Sequence, residues 1–192
     1  MPNPIGSIQV NLDNWIVRHE DELRSGLRIL FGLIWLIDGS FKFRPGFEQN
    51  FAVPSSTSPA WLNPWFAFWS NQVSANPALW VYMTGSFEIA LGLALIFGLL
   101  RKIAYTAGIA LSLLIWAVPE GFGTPYGPSS TDIGTGAVYA IALVSLLIFD
   151  ATFGPGRYSL DGWIQRRWPG WARLSDVRSR PTAPSTPPSG TA

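Results

Sequence analysis

Residues 22–47, ELRSGLRILFGLIWLIDGSFKFRPGF, constrain this chain more than any other stretch. The run is apolar and long enough to cross a bilayer, which takes roughly 20 helical residues. It nevertheless carries Arg24, Arg28, Asp38 and Lys42. Charge inside a spanning helix is costly, so it belongs on a face turned toward other helices. At about 100° per residue, Arg24, Phe31, Ile34, Asp38 and Lys42 fall on one stripe, with Arg28 at its edge. The run predicts a first membrane span at about 23–43 with one polar face pointing into a bundle.

Three more apolar runs follow, at about 79–100, 103–119 and 132–150. The second holds a single charge, Glu88, about ten residues in from its start and so close to mid-depth. Ser86, Ala90, Ala94 and Gly98 recur every fourth residue along it, the spacing that lets membrane helices approach closely. Gly85 and Gly92 narrow the Glu88 flank as well. Arg101 and Lys102 mark a tight turn into the third run, where Ala104, Gly108 and Ser112 keep the small-residue spacing. Thr131 or Asp132 caps the fourth, which offers Gly136 and Ala140 as small contacts. Four such runs with tryptophans near their ends are hard to place in the core of a soluble protein. The predicted fold is an all-α membrane protein, a four-helix transmembrane bundle spanning residues 23–150.

The remaining segments divide by composition. Residues 1–22 read as a cytoplasmic arm and surface helix, with Asn11 or Asp13 as its N-cap. The start MPNPIGSIQVNLDNW lacks the basic opening and apolar run of a cleavable signal peptide. The 44–78 connection contains AWLNPWFAFWSNQV, too short to span and rich in rings that suit the headgroup level. It predicts a short helix that either lies in the outer interface or caps the bundle. Residues 151–180 form a basic, Trp-rich, amphipathic segment, including RYSLDGWIQRRWPGWARL, as expected of a chain lying on an anionic membrane surface. The Pro/Ser/Thr-rich end, 181–192, predicts disorder. Of 13 lysines and arginines, only Lys42 and Arg44 fall on the side of the long connection. Because basic loops stay inside, both termini are expected on the cytoplasmic face of the plasma membrane.

Composition also excludes chemistry. A net charge of +1 argues against nucleic acid as a partner. With no cysteine and one histidine, His19, the chain alone cannot ligate haem or an Fe–S cluster, and a metal site built on carboxylates has only a weak signal. The informative groups are Asp38, Lys42, Arg44, Glu88, Glu120 and Asp132, which gather toward the outer half of the bundle. Asp38 and Lys42 are four apart and are expected to pair along their helix. Glu88 has no partner on its own helix, and a carboxylate left alone at that depth holds its proton and is suited to proton exchange. Glu120 and Asp132 read first as a loop end and a helix cap. Arg28 is expected to snorkel toward the inner surface.

RILFGLIWLIDGSFKF, GSFEIALGLALIFGLLRKIA and TDIGTGAVYAIALVSLLI together resemble the DoxX/DoxD-like membrane family over roughly residues 22–150. The matching positions are Arg28, Gly32, Gly39 and Lys42, then Glu88 and Gly92, then Asp132 and Gly134. The resemblance implies a four-helix membrane protein and, for DoxD-type members, the membrane subunit of a thiosulfate:quinone oxidoreductase. On that expectation quinone is the cofactor, in a pocket between the first, second and fourth spans. Glu88 and Asp38 are the candidate catalytic groups. Lys42, Arg44, Glu120 and Asp132 are the candidate binding groups, with Lys42 or Arg44 attracting an anionic donor. The rival expectation is a non-catalytic accessory subunit of a larger membrane oxidase or monooxygenase. Either way, the partners are the lipid bilayer and other membrane subunits.

Overall fold

Glycines decide how the helices of this chain meet. The computed structural model describes residues 15–54, 60–123, 133–154, 156 and 158–177. Its helices in chain order are α1 (Glu20–Phe41), α2 (Phe47–Asn50), α3 (Asn63–Ala75), α4 (Pro77–Phe97), α5 (Arg101–Ala117), α6 (Thr135–Phe153), α7 (Leu160–Arg167) and α8 (Ala172–Ser175). No strand occurs among the described residues. Residues 1–14 of the expected 1–22 arm and surface helix, with the N-cap candidates Asn11 and Asp13, lie outside the described residues, as do the cap residues Thr131 and Asp132 and the tail at 181–192.

The four apolar runs become α1, α4, α5 and α6, and local chemistry sets their ends. Asn76 caps α4 by accepting from the Leu79 N–H at 3.1 Å, and Pro77 follows at the first helical position, where its missing N–H costs nothing. Gly98, at φ 60°, ends α4 in the left-handed conformation. The fourth helix starts at Thr135, later than expected, because Gly134 sits at φ 103°, outside helical space. α4 and α6 are long and apolar enough to cross a membrane. α1 is as long but more charged, and α5, at 17 residues, sits at the short limit of the ~17–25 that a span takes.

α1 and α4 pack antiparallel with backbones almost touching. A Cβ at Gly32 would lie 2.8 Å from the Gly92 carbonyl oxygen, and one at Gly39 would lie 2.8 Å from that of Gly85. Both glycine pairs are seven residues apart, two turns, so both meet on one line. Of the expected small-residue row on α4, Ser86 and Ala90 are exposed while Ala94 and Gly98 turn inward, and the close contact runs along the Gly85, Glu88 and Gly92 flank that the sequence also marks as narrow. The expected face of α5 does hold, since Ala104, Gly108 and Ser112 are buried, and Gly136 of α6 fits against the Ser112 carbonyl. Phe31, Trp35, Leu91, Leu95, Tyr105 and Leu143 fill the centre between the two helix pairs.

The outward faces are apolar. Leu27, Leu30, Ile37, Phe87, Ile141 and Ile148 are all more than two-fifths exposed. Such faces on every long helix have no place in water and suit acyl chains. The aromatic connection takes the capping option: α3 buries Phe66 and Val73 against Val53 and Val118 at one end of the bundle.

Candidate functional site

The site begins with the turn after α1. Gly85 leaves room for the Lys42 Cβ, which would sit 3.0 Å from a Cβ added there. Helical side chains lean toward their own N-terminus, so Lys42 reaches back along α4. Its Nζ lies 2.6 Å from Glu88 Oε2, and the Glu88 residue is 2% exposed. The expected Asp38–Lys42 pair is therefore replaced. Lys42 turns to the α4 carboxylate, while Asp38 accepts from the Tyr139 hydroxyl of α6 at 3.1 Å. Glu88 is paired rather than alone. Its partner comes from another helix because the glycine contact brings α1 close enough for a lysine to span the gap.

The ion pair opens onto a cavity of about 270 Å³. Its walls include Phe47, Phe51, Trp69, Trp80, Thr84 and Leu111. The cavity thus lies between α1, α4 and α5 under the α3 cap. The expected place between the first, second and fourth is filled: Tyr139 of α6 packs edge-on against Phe31 at 5.2 Å and tilts over Trp35 at 5.4 Å. The two helix pairs are each held by glycines, and the looser α4–α5 side leaves the opening. The cap is fastened by indoles. Trp65 Nε1 donates to the Ala117 carbonyl at 2.9 Å, and Trp80 Nε1 donates to that of Gln72 at 3.0 Å. Trp69 stands edge-on to Trp80 at 5.7 Å. Trp69 Nε1 is buried at the cavity wall and has no hydrogen-bond partner among the described residues. A buried donor without an acceptor is uncommon and calls for an explanation.

The other expected residues divide. Glu120 lines the cavity, and its carboxylate also accepts from the Gly136 N–H at 2.9 and 3.1 Å, so it caps the start of α6. A carboxylate there complements the positive end of the helix. Arg44 does not join the cavity walls. It is exposed, with its guanidinium 4.1 Å from the Phe41 ring centre. Asp132 lies outside the described residues. No three of the described His, Asp and Glu residues converge as a metal site.

A family model described as DoxX matches residues 23–120, just over half of the chain. This chain belongs to the DoxX family. No curated protein and no solved structure matches it significantly. The match takes in α1, α4, α5, the ion pair and every cavity residue named above, and it stops at Glu120.

What lies beyond the match completes the opposite end of this DoxX-family bundle, and the sequence reading missed it. Arg101 is 1% exposed. Its guanidinium bonds Asp161 Oδ2 at 3.0 Å, Asp150 Oδ2 at 3.0 Å and Asp176 Oδ1 at 3.4 Å. Asp161 is fully buried. It also accepts the Leu100 and Arg101 backbone N–H groups and the Trp171 indole, and so serves as the cap that α5 otherwise lacks. Arg28 does not snorkel. It is buried, and its Nη2 donates to the Tyr158 carbonyl. Residues 158–177 are thus fastened to the bundle on one side rather than simply laid on a surface. The available signal was the turn-forming Ser159 and the acidic Asp161 opening a short helix, but nothing local named Arg101 as their target.

Proposed function

We propose that this DoxX-family membrane protein crosses the plasma membrane four times with both termini cytoplasmic. We further propose that it serves as the membrane subunit of a quinone-linked redox system. The supporting features for the topology are the apolar outer faces of all four long helices and the concentration of basic residues at the Arg101 end.

The observation that carries the redox reading is the combination at one cavity of the Lys42–Glu88 pair and the Trp69 N–H, which has no partner among the described residues. A volume of about 270 Å³ falls just below the ~300–1,000 Å³ usual for small-molecule pockets and suits a single-ring headgroup whose tail stays in lipid. When bound, a quinone supplies a two-electron, two-proton acceptor, with thiosulfate the donor that the family resemblance suggests. The chain's own residues do the rest. Trp69 Nε1 and Lys42 Nζ are donors suited to carbonyl oxygens. Glu88 holds a proton or releases it at Oε2, and Asp38 with Tyr139 forms a second proton-holding pair one helix away. Phe47, Phe51 and Trp80 exclude water and so strengthen each of these contacts.

A second reading, a non-catalytic accessory subunit of a larger membrane oxidase or monooxygenase, is favoured by one observation. The small-residue positions Ser86 and Ala90 face away from the bundle, where another subunit's helix fits closely. Purification in mild detergent, with mass spectrometry of bound lipids and proteins, separates the two. The redox reading expects a co-purifying quinone and donor-dependent quinone reduction by membranes, both lost in Glu88→Gln at unchanged expression. Undiminished turnover in Glu88→Gln removes the cavity from the mechanism. Stoichiometric recovery with a cofactor-bearing enzyme, and no quinone, favours the accessory subunit.

A further inference from the structure

The docked segment at the Arg101 end has two chemically opposite sides. Residues 158–177 contain three arginines and two aspartates. Both aspartates, Asp161 and Asp176, are turned inward and bound to Arg101. All three arginines, Arg166, Arg167 and Arg173, are exposed. The fold has therefore sorted a nearly balanced sequence into an inward side, where both aspartates are bonded to Arg101, and an outward side whose charged residues are all basic. Large rings share that exterior: Trp163 is 58% and Trp168 70% exposed, with Leu160 and Leu174 also more than two-fifths exposed. Lys102, on the neighbouring turn, is exposed too. Nearby acids add little opposing field. Asp21 and Glu20 lie within 2.5 and 3.7 Å of Arg24, leaving Glu22 exposed at the start of α1.

We propose that this face is a binding surface for the acidic phospholipid headgroups of the membrane in which the bundle sits. The argument is charge complementarity joined to depth. The segment is fixed to the α4–α5 turn by Asp161 N–H and Ser159 Oγ, both donating to the Gly98 carbonyl, at 3.2 and 2.7 Å. It is held at the very end of the apolar helices, where headgroups lie. Tryptophan rings prefer that level, and arginines beside them meet phosphate rather than acyl chain. A protein partner would find an equally basic face, but the exposed rings at a helix end match the membrane boundary that is already there. Arg101 and the aspartates do not touch lipid. They act by holding the outward arginines in register.

The test uses the full chain, purified in neutral detergent and offered equal amounts of phosphatidylglycerol and phosphatidylcholine, with retained lipid read by native mass spectrometry. The wild type is expected to retain phosphatidylglycerol preferentially. The preference falls by about fivefold for each arginine lost in R166Q, R166Q/R167Q and R166Q/R167Q/R173Q at low salt, and fades with added salt. These positions are exposed, and unchanged circular dichroism and thermal unfolding establish that each variant is folded. W163A/W168A is expected to reduce retention of both lipids while leaving the preference. Equal retention of the two lipids by the wild type overturns the proposal. So does a preference that survives the triple variant, or a protein partner that is lost with the arginines while lipid retention is unchanged.

Discussion

The two ends of the bundle each tie a cation to carboxylates, and they do so by different rules. At one end Arg101 meets three carboxylates, and the most buried of these, Asp161, has its remaining capacity used by backbone N–H groups and an indole. At the other end Lys42 meets one carboxylate, Glu88, beside an open cavity and an indole N–H with no partner among the described residues. A buried charge is tolerated when its hydrogen-bonding groups are satisfied. The Arg101 cluster meets that condition, and the hollow beside it, lined by Asp150 and Arg28, holds only about 10 Å³. The Lys42 cluster meets it in part and leaves space. The contrast separates a lock from a candidate binding site, although both read in the sequence as charges at the ends of apolar runs.

Substitutions can break or sharpen this contrast, and the largest effect is expected at the lock. Arg101→Leu leaves Asp161 buried and uncompensated beside Asp150, and should cost ~3–5 kcal/mol, measured as a lowered unfolding temperature in detergent. If this variant is as stable as the wild type, the cluster is not a lock. Next comes Gly92→Leu. Even a Cβ there falls 2.8 Å from the Gly32 carbonyl oxygen, so α1 and α4 must part, at a cost of ~1–3 kcal/mol or more. The parting also pulls Lys42 off Glu88, so activity should fall further than stability does. A variant that keeps its activity argues against the glycine contact as the support of the site.

At the candidate site itself the balance reverses. The double change Lys42→Met with Glu88→Leu should leave stability within ~1 kcal/mol of the wild type, because a buried pair is often replaceable by apolar residues of similar size. It should nevertheless abolish retention of quinone. A severe loss of stability instead would make the Lys42 end a second lock. The smallest effect is expected for Tyr139→Phe, which removes one hydrogen bond to Asp38 and should cost about 1 kcal/mol. A larger cost would mean that Asp38 depends on Tyr139 for more than a single contact.

Much of the architecture was legible because it is local. Apolar runs of about twenty residues, Asn76 before Pro77 and Gly98 at a helix end each carry their own structural instruction. The aromatic rings of 61–69 are readable as a short helix that lies in the interface or caps the bundle, and only the packing of Phe66 and Val73 decides for the cap. Glu88 and Lys42 were recognisable as groups that need partners, although not as each other's. Arg101 beside Lys102 reads as part of a basic turn, because such residues at a turn usually sit in solvent.

Sequence alone determined that this is an all-α membrane protein of the DoxX family and that α1 carries charge on a face turned into the bundle. Hydrophobicity, helical period and capping act over a few residues, so the chain states them wherever they occur. Only the tertiary structure decided which charges meet. From Lys42, Asp38 is four residues away and Glu88 forty-six, yet the glycine contact between α1 and α4 makes the distant carboxylate the partner. Likewise, Arg101 finds its aspartates forty-nine to seventy-five residues on. Pairing is a matter of distance in space, and that distance exists only once the helices have packed.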